Sequence, residues 1–338
     1  MPELDSIRGV AILAVVFYHG FYWNIDFAAF PPWQRLLLTA TWPGRLGVNL
    51  FFVLSGFLIS GLLVDARNRL DYYSRFYARR ARRILPVYLA LLAVLFVARF
   101  PPKFLLLSLA YLSNLTPLFG IAISYPVLWS LAVEEHFYFV WPAVVRNLSS
   151  NALLWLSAGI ITVSPVLRFV SFYHSRGFEL NDYTWNSADG LASGAALAIL
   201  LRQWGSDRAK VFRFVAVCGV IAVFLSPFAV SSRQSAIGAA MQTVPWHFAF
   251  TGALASCLLI GTSTSKLWVQ IPWLRFFGYI SYGLYLIHML AFWAFDHFFK
   301  WHGLFGLVLR FIVGGGTATF LAFLSRRYFE DEFLRRPT

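Results

Sequence analysis

Two ionisable side chains in the first apolar stretch have a spacing that could serve one reaction path. Residues 4–19 are typical of a membrane-spanning helix, yet they include Asp5, Arg8 and His19. Eleven positions separate Arg8 from His19, so on a helix they face the same way, about 16 Å apart along the axis. Charged groups inside a membrane helix are costly and commonly mark a functional path. The alternative is an arginine at the cytoplasmic end and a histidine bonded within a helix bundle.

A second polar pattern lies in the aromatic segment 129–142. Ser130, Glu134 and Tyr138 follow one another at intervals of four residues and form one stripe on a helix, whereas Glu135 points elsewhere. Glu134 could neutralise an arginine inside a bundle. The functional alternative is a carboxylate that orients or protonates a catalytic histidine.

A run of arginines precedes Ile84-Leu85-Pro86. Arginines occupy positions 79, 80, 82 and 83. The positive-inside rule alone would explain them as cytoplasmic charges. Guanidinium groups also bind phosphate oxygens in a bidentate manner, so the run is nonetheless suited to the phosphates of an acyl-coenzyme A at the cytoplasmic face.

Other polar residues lie within apolar segments. Asn49 and Ser55 belong to a stretch rich in small residues, which indicates tight helix packing, although both could contact a polar substrate. His288 lies in an aromatic span and is either a bonded core histidine or a catalytic one. Arg168 and Asp189 are predicted to pair as a salt bridge between helices.

The composition predicts that these residues lie in a membrane. Of 338 residues, 59% are hydrophobic, 19% are aromatic and 13% are charged, and the mean hydropathy is +0.65. A soluble domain of this length could not bury so much apolar surface. The net charge of +13 is gathered in short segments between apolar stretches, which argues against a nucleic-acid partner. Cys218 and Cys257 lie in apolar runs and predict neither a disulfide nor a metal site.

The apolar stretches predict an all-α polytopic membrane protein. They lie at about 7–23, 45–64, 84–100, 104–120, 128–146, 151–171, 186–201, 212–230, 244–262, 277–299 and 303–325. Basic residues in the loops 65–83 and 202–213 and in the C-terminal tail predict that all three are cytoplasmic. About ten transmembrane helices satisfy this arrangement, with both termini cytoplasmic and one additional short or re-entrant segment between 104 and 171. No polar linker divides the chain, so we predict a single membrane-embedded domain over 1–338.

Together these segments resemble acyltransferase family 3, the bacterial integral-membrane O-acyltransferases. The family phrase Leu-Asp-x-x-Arg-Gly, with a histidine farther along, is matched at Leu4, Asp5, Arg8, Gly9 and His19. Further phrases of the family are matched, in the family's order, at 51–58, 79–86, 129–138 and 281–288. The resemblance therefore covers nearly the whole chain. His136 departs from it, because the family often has glutamine there.

The resemblance implies transfer of an acyl group, usually acetyl, from cytoplasmic acetyl-coenzyme A or another acyl-coenzyme A to a hydroxyl. The acceptor is commonly a carbohydrate outside the inner membrane, and no metal is implied. We expect a form without the extracytoplasmic domain that some members append. The best alternative from another class is a transporter or flippase for a polysaccharide precursor, since buried charges are common there too.

The residues can be given roles consistent with this activity. His19 would act as general base toward the acceptor hydroxyl or as acyl carrier, and Arg8 would steer the donor or stabilise the oxyanion. Glu134 would set the histidine tautomer or balance its charge, and Asp5 completes the catalytic set. We expect the coenzyme A phosphates to be bound by Arg79, Arg80 and Arg83. The expected substrate-binding residues are Trp129, Ser130, Tyr138, Asn49 and His288.

Overall fold

A computed structural model describes residues 2–174, 183–229, 235–260 and 271–334, and within these ranges the regular structure is helical with no strand. The all-α class predicted from the sequence is confirmed. The α-helices are α1 Pro2–Phe21, α2 Pro32–Thr39, α3 Gly47–Ala66, α4 Tyr72–Val97, α5 Pro102–Leu109, α6 Leu128–Asn147, α7 Ser150–His174, α8 Thr184–Trp204, α9 Arg208–Phe224, α10 Ser226–Ala229, α11 Ala236–Met241, α12 Val244–Ile260, α13 Pro272–Phe298, α14 Gly303–Leu324 and α15 Asp331–Leu334.

The long helices follow the predicted apolar stretches, with one exception. Within the described ranges, ten helices have 17 or more residues, namely α1, α3, α4, α6, α7, α8, α9, α12, α13 and α14. The stretch predicted at 104–120 instead forms α5 and a 3-10 helix over Ser113–Phe119. The eight residues of α5 extend only about 12 Å, which is too short to cross a bilayer.

The prediction of a loop over 65–83 is largely wrong. Helix α4 begins at Tyr72, so Arg79, Arg80 and Arg83 lie on its first turns rather than in a loop. Tyr72 and Phe76 are buried one turn apart, and this apolar face accounts for the early helix start. The basic residues occupy the remaining, more exposed positions.

Five described segments are both long and apolar enough to cross a membrane. They are Leu4–Phe21, Pro32–Ala66, Ser150–Tyr173, Pro272–Phe298 and Gly303–Phe333. Large apolar side chains also cover the outer faces of the helices, such as Val97 at 80%, Trp155 at 79% and Phe305 at 83% exposed. Exposed apolar surface of this extent marks contact with lipid. The chain is a multi-pass membrane protein.

The chain divides into two compact units. The first unit takes its described residues from Met1–Val48, Arg75–Ala98 and Gln270–Thr338. Its centre is the packing of α1 against α13 and α14. Gly9 allows a close approach of α1 to α13, because a Cβ there would lie 2.0 Å from the Leu274 carbonyl oxygen.

The second unit takes its described residues from Asn49–Ser74 and Arg99–Val269. In it α7 packs on α8, and α9 packs on α12. The tight packing predicted for α3 is found at Gly56, where a Cβ would lie 1.9 Å from the Leu191 carbonyl oxygen. Gly194 of α8 meets the Val53 carbonyl in the same way, so the two helices contact backbone to backbone.

Candidate functional site

The first unit brings His19 and His288 together, two histidines that are far apart in the sequence. His19 lies near the end of α1 and His288 in the middle of α13. The distance from His288 Nε2 to His19 Nδ1 is 3.2 Å, and the ring centroids are 4.9 Å apart. His288 is fully buried, whereas His19 keeps 8% of its surface exposed. His19 is therefore the more accessible member of the pair.

Backbone carbonyls determine which nitrogens of the pair carry hydrogen. His288 Nδ1 lies 3.0 Å from the Leu284 carbonyl oxygen, which can only accept, so this nitrogen donates. In a neutral ring Nε2 of His288 is then an acceptor, and His19 Nδ1–H donates to it. His19 Nδ1 also lies 3.0 Å from the Val15 carbonyl oxygen, which requires the same donor. Nε2 of His19 consequently carries a lone pair.

Arg310 of α14 holds the end of the helix that bears His19. Its NH1 donates to the Gly20 carbonyl oxygen at 2.9 Å, and its Nε donates to Asp296 Oδ1 at 2.7 Å. Trp301 donates to the same carboxylate oxygen at 2.6 Å. Arg310 was not predicted as a site residue. It is the one charged residue within the apolar run 303–325, and this isolation could have identified it.

Asp5 and Arg8 lie at the other end of α1. Arg8 NH1 is 3.2 Å from Asp5 Oδ1, and both side chains are partly exposed. Gly278 packs against the Asp5 backbone, since a Cβ there would lie 1.9 Å from the Asp5 carbonyl oxygen. A cavity of about 410 Å³ opens beside this turn, lined by Asp5, Pro272, Arg275, Phe276 and Tyr279. The N-terminal end of α1 thus places the Asp5–Arg8 pair beside open space, which Asp5 lines.

The predicted phosphate-binding arginines belong to the same unit. Arg79 is exposed, and Arg80 and Arg83 are partly buried. Arg79 and Arg83 are one turn apart on α4, so their side chains lie on one face of the helix. The hydroxyl of Tyr282 of α13 donates to the Ile84 carbonyl oxygen at 2.9 Å, which anchors the helix directly after the arginines.

The second unit contains the predicted polar stripe of α6. Glu134 Oε2 accepts from the Tyr138 hydroxyl at 2.8 Å, and Oε1 accepts from the Ser55 hydroxyl at 3.0 Å. Ser130 instead donates to the Val127 carbonyl of its own helix at 3.3 Å. Trp129 packs edge-on against Phe52 of α3, with ring centroids 5.9 Å apart. The structure therefore joins Glu134 to Tyr138, its expected neighbour, and to Ser55, which was not expected there, and gives Ser130 a local partner.

A second polar cluster of this unit connects Asn49 to three buried residues. The predicted salt bridge is present, because Arg168 NH2 lies 2.9 Å from Asp189 Oδ2. Asp189 Oδ2 is also 3.2 Å from His247 Nδ1, and His247 Nε2 is 2.9 Å from Asn49 Oδ1. The sequence analysis did not connect His247 to the pair. Among the described residues, no group of three or more His, Cys, Asp or Glu side chains could hold a metal ion.

Comparison with known families places the sequence among acyltransferases. The family model described as an acyltransferase domain, that of acyltransferase family 3, matches residues 1–327. The peptidoglycan O-acetyltransferase OatA of Listeria monocytogenes is 27% identical over 336 residues, which cover 85% of this chain and 49% of the relative. The putative peptidoglycan O-acetyltransferase YrhL of Bacillus subtilis is 28% identical over 335 residues, covering 85% of this chain and 48% of the relative.

A third relative matches a shorter part of the sequence. The O-acetyltransferase OatA of Staphylococcus aureus is 31% identical over 169 residues, which cover 44% of this chain and 25% of the relative. The chain spans about half the length of the first two relatives. No solved structure matches.

Proposed function

The chain belongs to acyltransferase family 3, and from this premise we propose that it transfers an acetyl group from acetyl-coenzyme A to a hydroxyl of a cell-wall carbohydrate. The names of the Listeria and Bacillus relatives support peptidoglycan as the first acceptor to test. The observation that carries the proposal is the lone pair on Nε2 of His19. It is the feature that a general base for a hydroxyl needs.

The arginines of the first unit are suited to the donor. Coenzyme A carries a 3′-phosphate and a diphosphate, and the guanidinium groups of Arg79, Arg80 and Arg83 can bind such oxygens in a bidentate manner. We assign Arg8 to steering the donor along α1, with Asp5 holding the Arg8 side chain at 3.2 Å. The rise of the helix puts Arg8 about 16 Å from His19, which supports a route from donor to acceptor rather than one compact pair.

In the direct reaction, His19 moves a single proton twice. The acceptor oxygen bonds to the thioester carbonyl carbon while its proton passes to His19 Nε2. The carbon–sulfur bond then breaks, and the imidazolium returns the proton to the departing coenzyme A sulfur. In the alternative relay, Nε2 attacks the thioester carbonyl carbon, the carbon–sulfur bond breaks, and coenzyme A leaves as the thiolate from an acetylimidazolium. The acceptor oxygen then takes the acetyl group from Nε2 while its proton passes to the thiolate, which regenerates the neutral imidazole and gives the coenzyme A thiol.

The polar groups of the second unit are proposed to serve the acceptor. Tyr138 and Glu134 offer hydroxyl and carboxylate oxygens, and Trp129 offers an aromatic surface of the kind on which sugar rings stack. Ser130 and Asn49 extend the same set of substrate-binding residues. The role expected for Glu134 in setting the histidine tautomer stays a prediction, and His288 is a second candidate for it.

We propose a bacterial inner-membrane location with ten crossings, cytoplasmic termini and one membrane domain over 1–338. The ten long helices in the described ranges support the count. The basic clusters support the orientation by the positive-inside rule. The boundaries between the two units at 48 and 74 fall within α3 and α4, which supports a single domain.

The decisive experiment measures acetyl transfer by the purified protein in lipid nanodiscs with labelled acetyl-coenzyme A and peptidoglycan fragments. His19→Ala should lower the turnover rate by about 10²–10⁴-fold, the usual contribution of a general base. His297→Ala is the matched control, because it removes an exposed histidine from the last turn of α13. Translocation of a polysaccharide precursor that persists in His19→Ala, with no acetyl chemistry in the wild type, would establish the flippase alternative instead.

A further inference from the structure

Arg168 occupies the most enclosed position in the polar cluster of the second unit. It is 1% exposed, its Nε donates to the Ala240 carbonyl at 2.8 Å, and NH1 donates to the Asn186 carbonyl. Its remaining nitrogen, NH2, binds Asp189. Since each nitrogen has a fixed acceptor, the guanidinium cannot reorient, and Asp189 is held in turn. A buried ion pair contributes little net stability, because the cost of desolvation offsets the attraction. The fixed geometry of Arg168 and Asp189 therefore points to a role in positioning the residues beside them.

His247 lies between Asp189 and Asn49 and links them. The imidazole is 3% exposed and has an oxygen beside each ring nitrogen, Asp189 Oδ2 at 3.2 Å and Asn49 Oδ1 at 2.9 Å. Gly190 makes room for the ring, because a Cβ there would lie 3.2 Å from His247 Nε2. One end of the Asn49 carboxamide faces His247, so its other end is directed away from the cluster.

The position of Asn49 along α3 identifies which substrate it could meet. Asn49 is the third residue of α3, and the basic residues Arg67 and Arg69 follow the other end. That end is cytoplasmic by the positive-inside rule, and the helix rise places Asn49 about 25 Å away from it. Asn49 therefore lies toward the outer face, where a carbohydrate acceptor is found and coenzyme A is not.

We propose that the end of the Asn49 carboxamide turned away from His247 forms a hydrogen bond with a hydroxyl of the carbohydrate acceptor, and that Arg168, Asp189 and His247 are positioning residues that hold it in place. The inference rests on the proposed function and deepens it by assigning the acceptor subsite. The reaction at the thioester is not changed by this assignment. Loss of the Asn49 carboxamide should therefore affect acceptor binding and leave acetyl-coenzyme A binding unchanged.

The test uses acetyl-coenzyme A and a β-1,4-linked N-acetylglucosamine pentamer as probes, with the full chain in nanodiscs. Asn49→Ala and His247→Ala should each raise the KM for the pentamer about three- to ten-fold, with kcat within two-fold, as expected for one hydrogen bond. The KM for acetyl-coenzyme A should stay at the wild-type value.

Two further variants separate positioning from general loss of structure. His247→Gln retains an amide that can hydrogen-bond near the Nε2 position, so its KM for the pentamer should return toward the wild-type value. The double variant Asn49→Ala/His247→Ala should be no worse than Asn49→Ala alone, because both changes remove the same interaction. Thr251→Val is the control, since that hydroxyl donates to the His247 carbonyl of its own helix, at 2.6 Å, and does not contact the His247 ring.

The outcomes distinguish this proposal from the proposed function. A wild-type protein that consumes no acetyl-coenzyme A contradicts the acyltransferase activity itself. A wild type that consumes acetyl-coenzyme A but neither binds nor acetylates the pentamer overturns the carbohydrate subsite. A normal KM for the pentamer in Asn49→Ala also overturns it, as does an equal rise for both substrates. Additive losses in the double variant would leave Asn49 as a binding residue but refute the positioning role of His247.

Discussion

Replacement of His288 by phenylalanine tests how the His19 tautomer is set. The aromatic ring keeps most of the buried volume and removes Nε2, the acceptor 3.2 Å from His19 Nδ1. The Val15 carbonyl, 3.0 Å from the same nitrogen, remains as an acceptor. The variant therefore loses one of two partners and keeps the tautomer. One net hydrogen bond is worth about 1 kcal/mol, which corresponds to about a five-fold lower kcat.

The assay is steady-state acetyl transfer in nanodiscs, with melting temperatures measured in parallel to confirm folding. The KM for acetyl-coenzyme A should not change, since only the orientation of His19 is altered. His288→Phe should retain far more activity than His19→Ala, for which we expect a loss of about 10²–10⁴-fold. A loss in folded His288→Phe as large as that in His19→Ala would show that His288 itself transfers the proton. Unchanged kcat would show that Val15 alone sets the tautomer.

Three further predictions concern packing, buried charge and donor binding. Gly9→Val should destabilise the protein by about 3 kcal/mol or more, because a Cβ would lie 2.0 Å from the Leu274 carbonyl oxygen, and the yield of monodisperse protein would report it. Arg168→Ala should cost about 3–5 kcal/mol by leaving the buried Asp189 carboxylate without its arginine, seen as a lower melting temperature. Arg83→Ala should raise the KM for acetyl-coenzyme A about ten-fold by removing a phosphate contact, with a smaller effect at high salt.

Each of these has a matched control. Gly219→Ala adds a Cβ with no atom within 4 Å, so protein yield should not fall. Asp65→Ala breaks an exposed ion pair and should cost under about 1 kcal/mol. Arg213→Ala removes an exposed basic residue outside the arginine run and should leave the KM for acetyl-coenzyme A unchanged. An equal response in variant and control would refute the corresponding argument.

The sequence predicted the helical elements because apolar length and loop charge are local properties. One short or re-entrant segment between 104 and 171 was expected from the need for an even number of crossings, and the structure has α5 and the following 3-10 helix where the apolar stretch 104–120 was predicted. The start of α4 was predicted poorly. Charge marked 65–83 as a loop, whereas the buried faces of Tyr72 and Phe76 make it helical from Tyr72 onward.

The sequence indicated which polar residues were candidates, but not which of them are in contact in the fold. His19 and His288 were each singled out as polar groups in apolar spans, but 269 positions separate them and one sequence does not tell which helices pack together. His247 was missed as a partner for a related reason. It lies in the first turn of α12, where a histidine resembles an ordinary end residue until Asp189 is found beside it.

The two buried histidine sites differ in what surrounds the rings, and this difference determines what each can do. Within the described residues, the hydrogen bonds of the His19 ring all involve Nδ1, which leaves Nε2 as the atom available to a substrate proton. His247 is 3% exposed and has an oxygen beside each ring nitrogen, so neither nitrogen is available to a substrate. The ring can instead hold the neighbouring Asn49 side chain in position. Residue type alone would have given both histidines the same role. Their neighbours make His19 the expected base and His247 a support for Asn49.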